Sequence, residues 1–257
     1  MVGIRRHVQS TAFLFLAVSI PVFASSTEEV LSRAQKLYEA QDDSGALRLL
    51  REARRTAPED LEARWQEAFV LLAQANRQPD NSLRREAFAA AAPKADSVLR
   101  LHPESADAWF VGALSLGVES TLGWPRRKIA LSKEMRLRIA KCLSIAPEHP
   151  GAWFLLGRWH EGFASLNPFE KGLVNLLLGG MPPGVSLDSA RISLERAAAG
   201  RPEDLQIQLD LVRVLVRLGQ PQRARMLAQR AMGFPLVSIG DRDNRRALAE
   251  ILRSLTS

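Results

Sequence analysis

The sequence predicts an all-α protein, a solenoid of about five helix pairs with a capping helix near Arg242 to Leu255. Ala, Leu and Arg are abundant whereas Tyr occurs once, a balance that favours helix over strand. Apolar and small residues recur at the i, i+3, i+4, i+7 spacing of one helix face. A turn built around Pro-Glu separates the units and recurs four times: Ala57-Pro58-Glu59-Asp60, His102-Pro103-Glu104, Ala146-Pro147-Glu148 and Arg201-Pro202-Glu203-Asp204.

The clearest helix pair lies between Pro147 and Pro202. Its packing residues fall at helical spacing, with Trp153, Leu156, Gly157 and His160 on the first helix and Ala190, Leu194 and Ala197 on the second. Large side chains of this set fill the space between two helices, and the small ones let the two backbones approach closely. Pro202 cannot continue a helix, so it marks the end of the pair.

The same arrangement occurs four more times and resembles the tetratricopeptide repeat (TPR). The other units span residues 30–58, 65–103, 109–147 and 212–235. Trp109 in unit three is equivalent to Trp153 in unit four. The resemblance implies a right-handed α-solenoid with a concave groove. Units two to four exceed the ~34-residue period of this repeat, so we expect them to carry insertions.

The insertion of unit four is apolar and runs from Pro168 to Gly180. Its dense apolar residues are Leu173, Val174, Leu176, Leu177 and Leu178. A short helix that is apolar on most sides must be buried or must meet a ligand or a membrane. We expect it to be buried across the groove as a plug. Contact with a membrane is the alternative, although the segment is too short to span a bilayer.

The first residues resemble an export signal. Arg5 and Arg6 precede an apolar run over residues 11–20, Pro21 ends that run, and Val22-Phe23-Ala24 offers small residues to a signal peptidase. We expect a signal peptide at 1–24, cleavage after Ala24, a periplasmic location and one TPR-like domain over 25–257. An uncleaved anchor or an ordinary apolar helix stays the alternative.

The charge balance bears on partners. The full chain of 257 residues has a formal net charge of +7, and loss of Arg5 and Arg6 would leave +5. In an exported protein this excess favours anionic lipid, polyanionic cell wall or an acidic protein over nucleic acid. The lone cysteine, Cys142, excludes an internal disulfide framework and falls at a small-residue packing position, where we expect a buried thiol.

No catalytic or cofactor motif accompanies these repeats. The chain has no phosphate loop, no GxGxxG, no HExxH and no GxSxG. His160 and Glu161 are neighbours on a helix and do not face one another, so they form no metal or catalytic couple. The sequence therefore predicts a non-enzyme without cofactor or metal.

A more specific resemblance begins at Leu155 to Trp159, which reads LLGRW. An apolar insert with Phe169-Glu170-Lys171, then Leu178-Gly179-Gly180 and Pro182, and a final Ala-rich helix follow it. This series resembles the regulator of microtubule dynamics family, most specifically over 147–202 and overall from about Ala106 to Leu255. Eukaryotic members are associated with microtubules and with organelle membranes and their lipids. For an exported bacterial chain the resemblance implies the fold and a capacity to bind amphiphiles. It does not imply binding to microtubules.

The face next to the packing residues resembles the concave lining of TPR superhelices. It carries Phe110 and Leu114 in unit three, Phe154, Arg158 and Glu161 in unit four, and Leu209, Arg213, Val216 and Arg217 in unit five. Arg side chains bind carboxylate or phosphate and aromatic side chains take apolar groups. The alternative is that these Arg are solvated and the Phe side chains pack between repeats.

Together these features predict a non-catalytic exported scaffold that binds a protein or peptide in its concave groove. The alternative function is an envelope carrier of lipid or another amphiphile, which would use the apolar insert and the groove arginines. The oligomeric state does not follow from the sequence.

Overall fold

The computed structural model describes residues 26–123, 125–237 and 239–255. Within these ranges the chain forms twelve α-helices and no β-strand, which confirms the predicted all-α solenoid. The helices are α1 Thr27–Glu39, α2 Asp43–Thr56, α3 Leu61–Asn76, α4 Asn81–Leu101, α5 Ala106–Leu122, α6 Pro125–Ile145, α7 Pro150–Ala164, α8 Pro168–Leu178, α9 Leu187–Gly200, α10 Leu205–Arg217, α11 Pro221–Ala231 and α12 Ile239–Ser254. The predicted signal peptide, residues 1–24, lies outside the described residues.

The helices pack as five pairs, α1 with α2, α3 with α4, α5 with α6, α7 with α9 and α10 with α11. Each pair contacts the next along the chain, through α2–α3, α4–α5, α6–α7 and α9–α10. The predicted insert is α8, which leaves the pair α7–α9 and packs on α6 of the preceding pair. The predicted capping helix is α12, which packs on α10 and α11.

The recurring Pro-Glu turns position the first helix of the pair in units two to five. In units two to five the residue two places after the turn proline is the N-cap of that helix, and its side chain accepts a backbone N–H. These N-cap residues are Asp60, Ser105, His149 and Asp204. At His149 the acceptor is the ring Nδ1, 3.0 Å from the N–H of Ala152. The same local chemistry therefore starts the first helix in four of the five pairs.

Small residues set the distance between α7 and α9. A Cβ atom added at Gly157 would lie 2.7 Å from Leu194 Cγ and 3.3 Å from the backbone oxygen of Ala190. Ala190 and Ala197 are completely buried on the facing side of α9. The helices of this pair therefore approach as closely as the spacing of small residues predicts.

Tryptophans tie two of the first helices to the turns that precede them. Trp109 Nε1 donates a hydrogen bond to the carbonyl oxygen of Pro103 at 2.7 Å, and Trp153 Nε1 donates to Pro147 at 2.7 Å. Both indole rings are half-buried. Cys142 is completely buried, and burial raises the pKa of its thiol to about 12.

Candidate functional site

Charged side chains from α7 and α10 meet on the face predicted to be concave. The face carries Arg158 and Glu161 from α7 and Arg213 and Arg217 from α10, four of the residues that the sequence assigns to the groove. A fifth charged residue, Asp210 on α10, lies between them. We call these five residues the α7–α10 charge cluster.

Asp210 was not predicted as a site residue. Its carboxylate is largely buried, and burial raises the pKa of Asp210 while the neighbouring charge of Arg158 opposes that rise. Gln206 Nε2 donates a hydrogen bond to Oδ1 at 3.1 Å. Arg213 Nη1 lies 3.4 Å from the same oxygen, and Arg158 Nε lies 3.9 Å from Oδ2, beyond hydrogen-bond distance. Two guanidinium groups thus share one carboxylate.

A second ion pair connects the same two helices. Arg217 Nη1 lies 2.5 Å from Glu161 Oε1 and also donates a hydrogen bond to Ser165 Oγ at 2.6 Å. This arginine is therefore held by α7, whereas the side chains of Arg158 and Arg213 are more than half exposed. With three arginines and two carboxylates, the cluster has one positive charge in excess.

The structure corrects two of the predicted groove residues. Phe110 is buried between the rings of Phe69 and His149, with centroid distances of 5.9 and 4.8 Å. Leu209 is 2% exposed in the core of the last two units. Both lie in the interior of the stack, where a first helix has neighbours on both sides. The side chains of Phe110 and Leu209 therefore pack between units and do not line a groove. For Phe110 this packing is the alternative that the sequence left open.

Phe154 belongs partly to the same packing. Its ring is half-buried against the core of the last two units, and the guanidinium of Arg158 lies 5.7 Å from the ring centroid. Val216 is 38% exposed on α10. Because Phe110 and Leu209 are buried and Phe154 is half-buried, the surface between α7 and α10 is more polar than the predicted groove lined with Phe and Leu.

A cavity of about 390 Å³ adjoins the charge cluster. Its walls come from α5, α6, α7 and α8, and Leu114, Trp159 and Val174 are among its apolar lining residues. Arg158 and Glu161 line both this cavity and the charge cluster. The predicted groove residue Leu114 therefore faces a cavity beside the α7–α10 surface.

Helix α8 forms one wall of this cavity. Val174 is buried, and Leu173 and Leu177 pack against the core of units two to four, whereas Leu176 is 80% exposed and Phe169 is 81% exposed. Leu178 ends the helix, and its side chain lies outside the described residues. Gly179 follows with φ of +73°, a left-handed conformation that glycine adopts without strain. The insert is thus half-buried beside the cavity, in contrast to the plug that was expected.

Across residues 26–123, 125–237 and 239–255, no group of three or more His, Cys, Asp or Glu side chains could hold a metal ion. None of the helices described there has the length and apolar character needed to cross a bilayer.

Comparison with solved structures shows a TPR fold. A thermophilic TPR protein of Thermus thermophilus superposes with a TM-score of 0.61 at 18% identity, over 89% of this chain and 100% of that chain. MamA of Desulfovibrio magneticus RS-1, from residue 41 to its end, gives a TM-score of 0.41 at 18% identity, over 90% of this chain and 97% of that chain. A comparison with curated protein sequences gives no match.

The sequence was also compared with models of protein families. The family described as Regulator of microtubule dynamics protein 1-3 matches residues 30–256, nearly the whole chain. The matched region includes every helix that forms the charge cluster and the cavity. The match extends well beyond the block 147–202, in which the resemblance is most specific. This chain belongs to the regulator of microtubule dynamics family and has its TPR-like fold.

Proposed function

We propose that the protein is a non-catalytic scaffold that binds an acidic segment of a partner protein at the α7–α10 charge cluster. The observation that carries this proposal is the sharing of the Asp210 carboxylate by Arg158 and Arg213. Both guanidinium groups are more than half exposed and make long contacts to Asp210. Each therefore keeps donors for a carboxylate supplied by a partner.

A ligand carboxylate competes with Asp210 for the two guanidinium groups. The contacts to Asp210 are long, at 3.4 and 3.9 Å, and both arginine side chains are more than half exposed, so their remaining N–H donors can turn to a ligand. The net charge of +5 that remains after loss of Arg5 and Arg6 also attracts acidic partners over long range.

The location belongs to the same proposal. Arg5, Arg6 and the apolar run before Ala24 support export and cleavage after Ala24, which would place the scaffold in the periplasm. N-terminal sequencing of the protein purified from an envelope fraction tests this. A sequence that starts at Ser25 is expected, and a chain that retains Met1 would contradict it.

Charge reversal tests the scaffold function. We expect Arg158→Glu to raise the Kd for a fluorescein-labelled peptide of alternating Asp and Gly at least 10-fold, without change in the circular dichroism spectrum. Arg48→Glu is the matched control, since Arg48 is an exposed arginine on α2 and its substitution makes the same change in net charge. Equal Kd values for the two variants would refute binding at the charge cluster.

The second candidate function is an envelope carrier of a lipid or another amphiphile. The observation that favours it is the cavity of about 390 Å³, which has apolar walls and has Arg158 and Lys128 in its lining. In such a carrier the cavity would take an acyl chain and an arginine would pair with an anionic head group. The apolar insert would contribute Leu173 and Val174 to the chain-binding wall.

Native mass spectrometry with organic extraction separates the two candidates. A carrier purified from its own envelope would retain phospholipid, and Arg158→Glu or deletion of residues 173–178 would remove it. A lipid-free protein after gentle handling would contradict the carrier function. The peptide titration would still test the scaffold function in that case.

A further inference from the structure

Unit five differs from units three and four at one position, which the proposed function does not use. Trp109, Trp153 and Gln208 each lie six residues after a turn proline, and each donates a side-chain N–H to the carbonyl oxygen of that proline at 2.7 Å. Gln208 therefore keeps the hydrogen bond made by the two tryptophans. It does not supply the indole ring.

The arginine that lies on the tryptophan ring has an equivalent in unit five. In unit four the guanidinium of Arg196 lies 4.5 Å from the centre of the Trp153 ring. The equivalent residue in unit five is Arg230, since Arg196 and Arg230 each directly precede the last buried alanine of the second helix, Ala197 and Ala231. Arg230 lies 5.9 Å from the ring of Phe234.

A cleft lies beside Gln208. Its volume is about 310 Å³, and Pro202, Leu211, Leu227, Arg230 and Phe234 are among the residues that line it. The cleft is bounded by α9, α10 and the end of α11. On α10, Gln208 and Leu211 lie on the side of the helix opposite to Asp210 and Arg213, so the cleft is separate from the charge cluster.

Gln208 also has an unused acceptor. The residue is 4% exposed, and its Nε2 is committed to Pro202. Among the described residues its Oε1 has no hydrogen-bond partner. An unpaired buried acceptor is costly, so a ligand with an N–H donor would gain by supplying one.

We propose that this cleft binds the tryptophan side chain of a partner protein. An indole ring would occupy the place beside Gln208 that units three and four give to an internal tryptophan, with Leu211 and Leu227 against its faces. Arg230 would lie on it as Arg196 lies on Trp153, and the indole N–H is the donor that Oε1 lacks. Phenylalanine and aliphatic side chains have no such donor, so the site distinguishes tryptophan from them.

Peptide titration followed by NMR tests this proposal. The probes are N-acetyl-Gly-Trp-Gly-amide and its Phe counterpart, and the signals are the Gln208 side-chain amide and the methyl groups of Leu211 and Leu227. We expect the Trp peptide to shift these signals and to bind at least 5-fold more tightly than the Phe peptide. Equal affinities of the two peptides, or no shift at these residues, would overturn the proposal.

The variant Gln208→Trp fills the cleft from inside, as units three and four do. We expect it to raise the Kd for the Trp peptide at least 10-fold and to raise Tm by about 2–4 °C, since the ring enters existing space. Unaltered peptide binding, or loss of the folded last pair, would contradict a cleft shaped for indole.

A second variant tests peptide binding without a substitution in the protein core. Arg230 is exposed, so Arg230→Ala is expected to fold normally and to raise the Kd about 3-fold by removing the cation from the ring. Arg48→Ala, on α2 and outside both proposed sites, removes the same charge and is the control, which is expected to leave the Kd within 2-fold. An equal effect of the two variants would show that the peptide binds elsewhere.

Discussion

At the scale of single residues, the distance between paired helices depends on positions that have no room for a side chain. A Cβ at Gly157 would meet Leu194 at 2.7 Å, whereas a Cβ at Gly162, in the same helix, would meet nothing within 4 Å. The two glycines therefore offer a matched comparison of close packing and helix propensity.

We expect Gly157→Ala to lower the free energy of unfolding by about 1–3 kcal/mol through overpacking of α7 against α9. Gly162→Ala should raise it by about 0.5–1 kcal/mol, because alanine is the better helix former. Urea denaturation of both variants measures the two effects. The same sign for both would show that α7 and α9 do not pack as closely as described.

A buried ion network joins units one and two. Glu67 is 1% exposed, accepts a short hydrogen bond from Arg54 and lies 3.2 Å from Lys94 Nζ. Burial alone would raise the pKa of Glu67, but the bond from Arg54 and the charge of Lys94 outweigh it and hold this pKa below its usual value of 4.5. The ionised carboxylate therefore stabilises the fold above pH 4.5, and that contribution is lost as the pH falls through the lowered pKa.

Glu67→Gln should cost about 1.5–3 kcal/mol at pH 7, since it leaves Arg54 without an ionised partner. The cost should shrink as the pH falls below 4.5 and through the lowered pKa of Glu67, because the wild-type carboxylate then becomes protonated as well. Thermal unfolding between pH 3 and 7 measures both. A cost that does not change with pH would contradict the account of Glu67.

At the scale of helices, α8 shows what the sequence could and could not predict. Its composition and its closing glycines predict a short apolar helix, but periodicity cannot decide which apolar residues face inward when nearly all of them are apolar. Packing on α6 makes that choice. It buries Val174 and leaves Leu176 at 80% exposure.

Val174→Ala and Leu176→Ala therefore test the orientation of α8. We expect the first to destabilise the protein by about 1–2 kcal/mol, since it removes buried methyl groups from the cavity wall. The second should change the free energy of unfolding by less than about 0.5 kcal/mol. Equal costs in chemical denaturation would indicate that α8 does not keep this orientation.

The charge cluster was only half predictable for a related reason. The helical spacing places Arg158 and Arg213 on comparable faces of two helices, and the structure does bring them together. Asp210 is one acidic residue on an otherwise ordinary helix, and it is far from Arg158 in the sequence. Only the packing of α10 beside α7 reveals that it is buried between two arginines.

At the scale of the whole molecule, the repeats share one stack and depend on their neighbours. The fold could be predicted because the same turn and cap chemistry occurs in units two to five. Phe110 and Leu209 were assigned to the groove because the sequence does not show that each first helix has neighbours on both sides. Burial of both residues follows from the stack and from no local pattern.

The last pair is covered by α12, whose Leu248 is completely buried against α10 and α11. A solenoid with an uncovered end exposes an apolar face. We expect a chain that ends at residue 237 to unfold at a lower temperature and to self-associate, as measured by calorimetry and light scattering. An unchanged Tm in a monomeric truncated protein would show that α12 does not act as a cap.

The central claim is that two arginines held by one buried carboxylate form the acidic-segment site. The most direct measurement is the Kd of the same acidic peptide for wild type, Asp210→Asn and Arg158→Glu. Asp210→Asn removes the competing carboxylate, so the account predicts tighter binding, whereas Arg158→Glu should weaken it. Opposite shifts would support the site, and shifts of the same sign, or none, would contradict it.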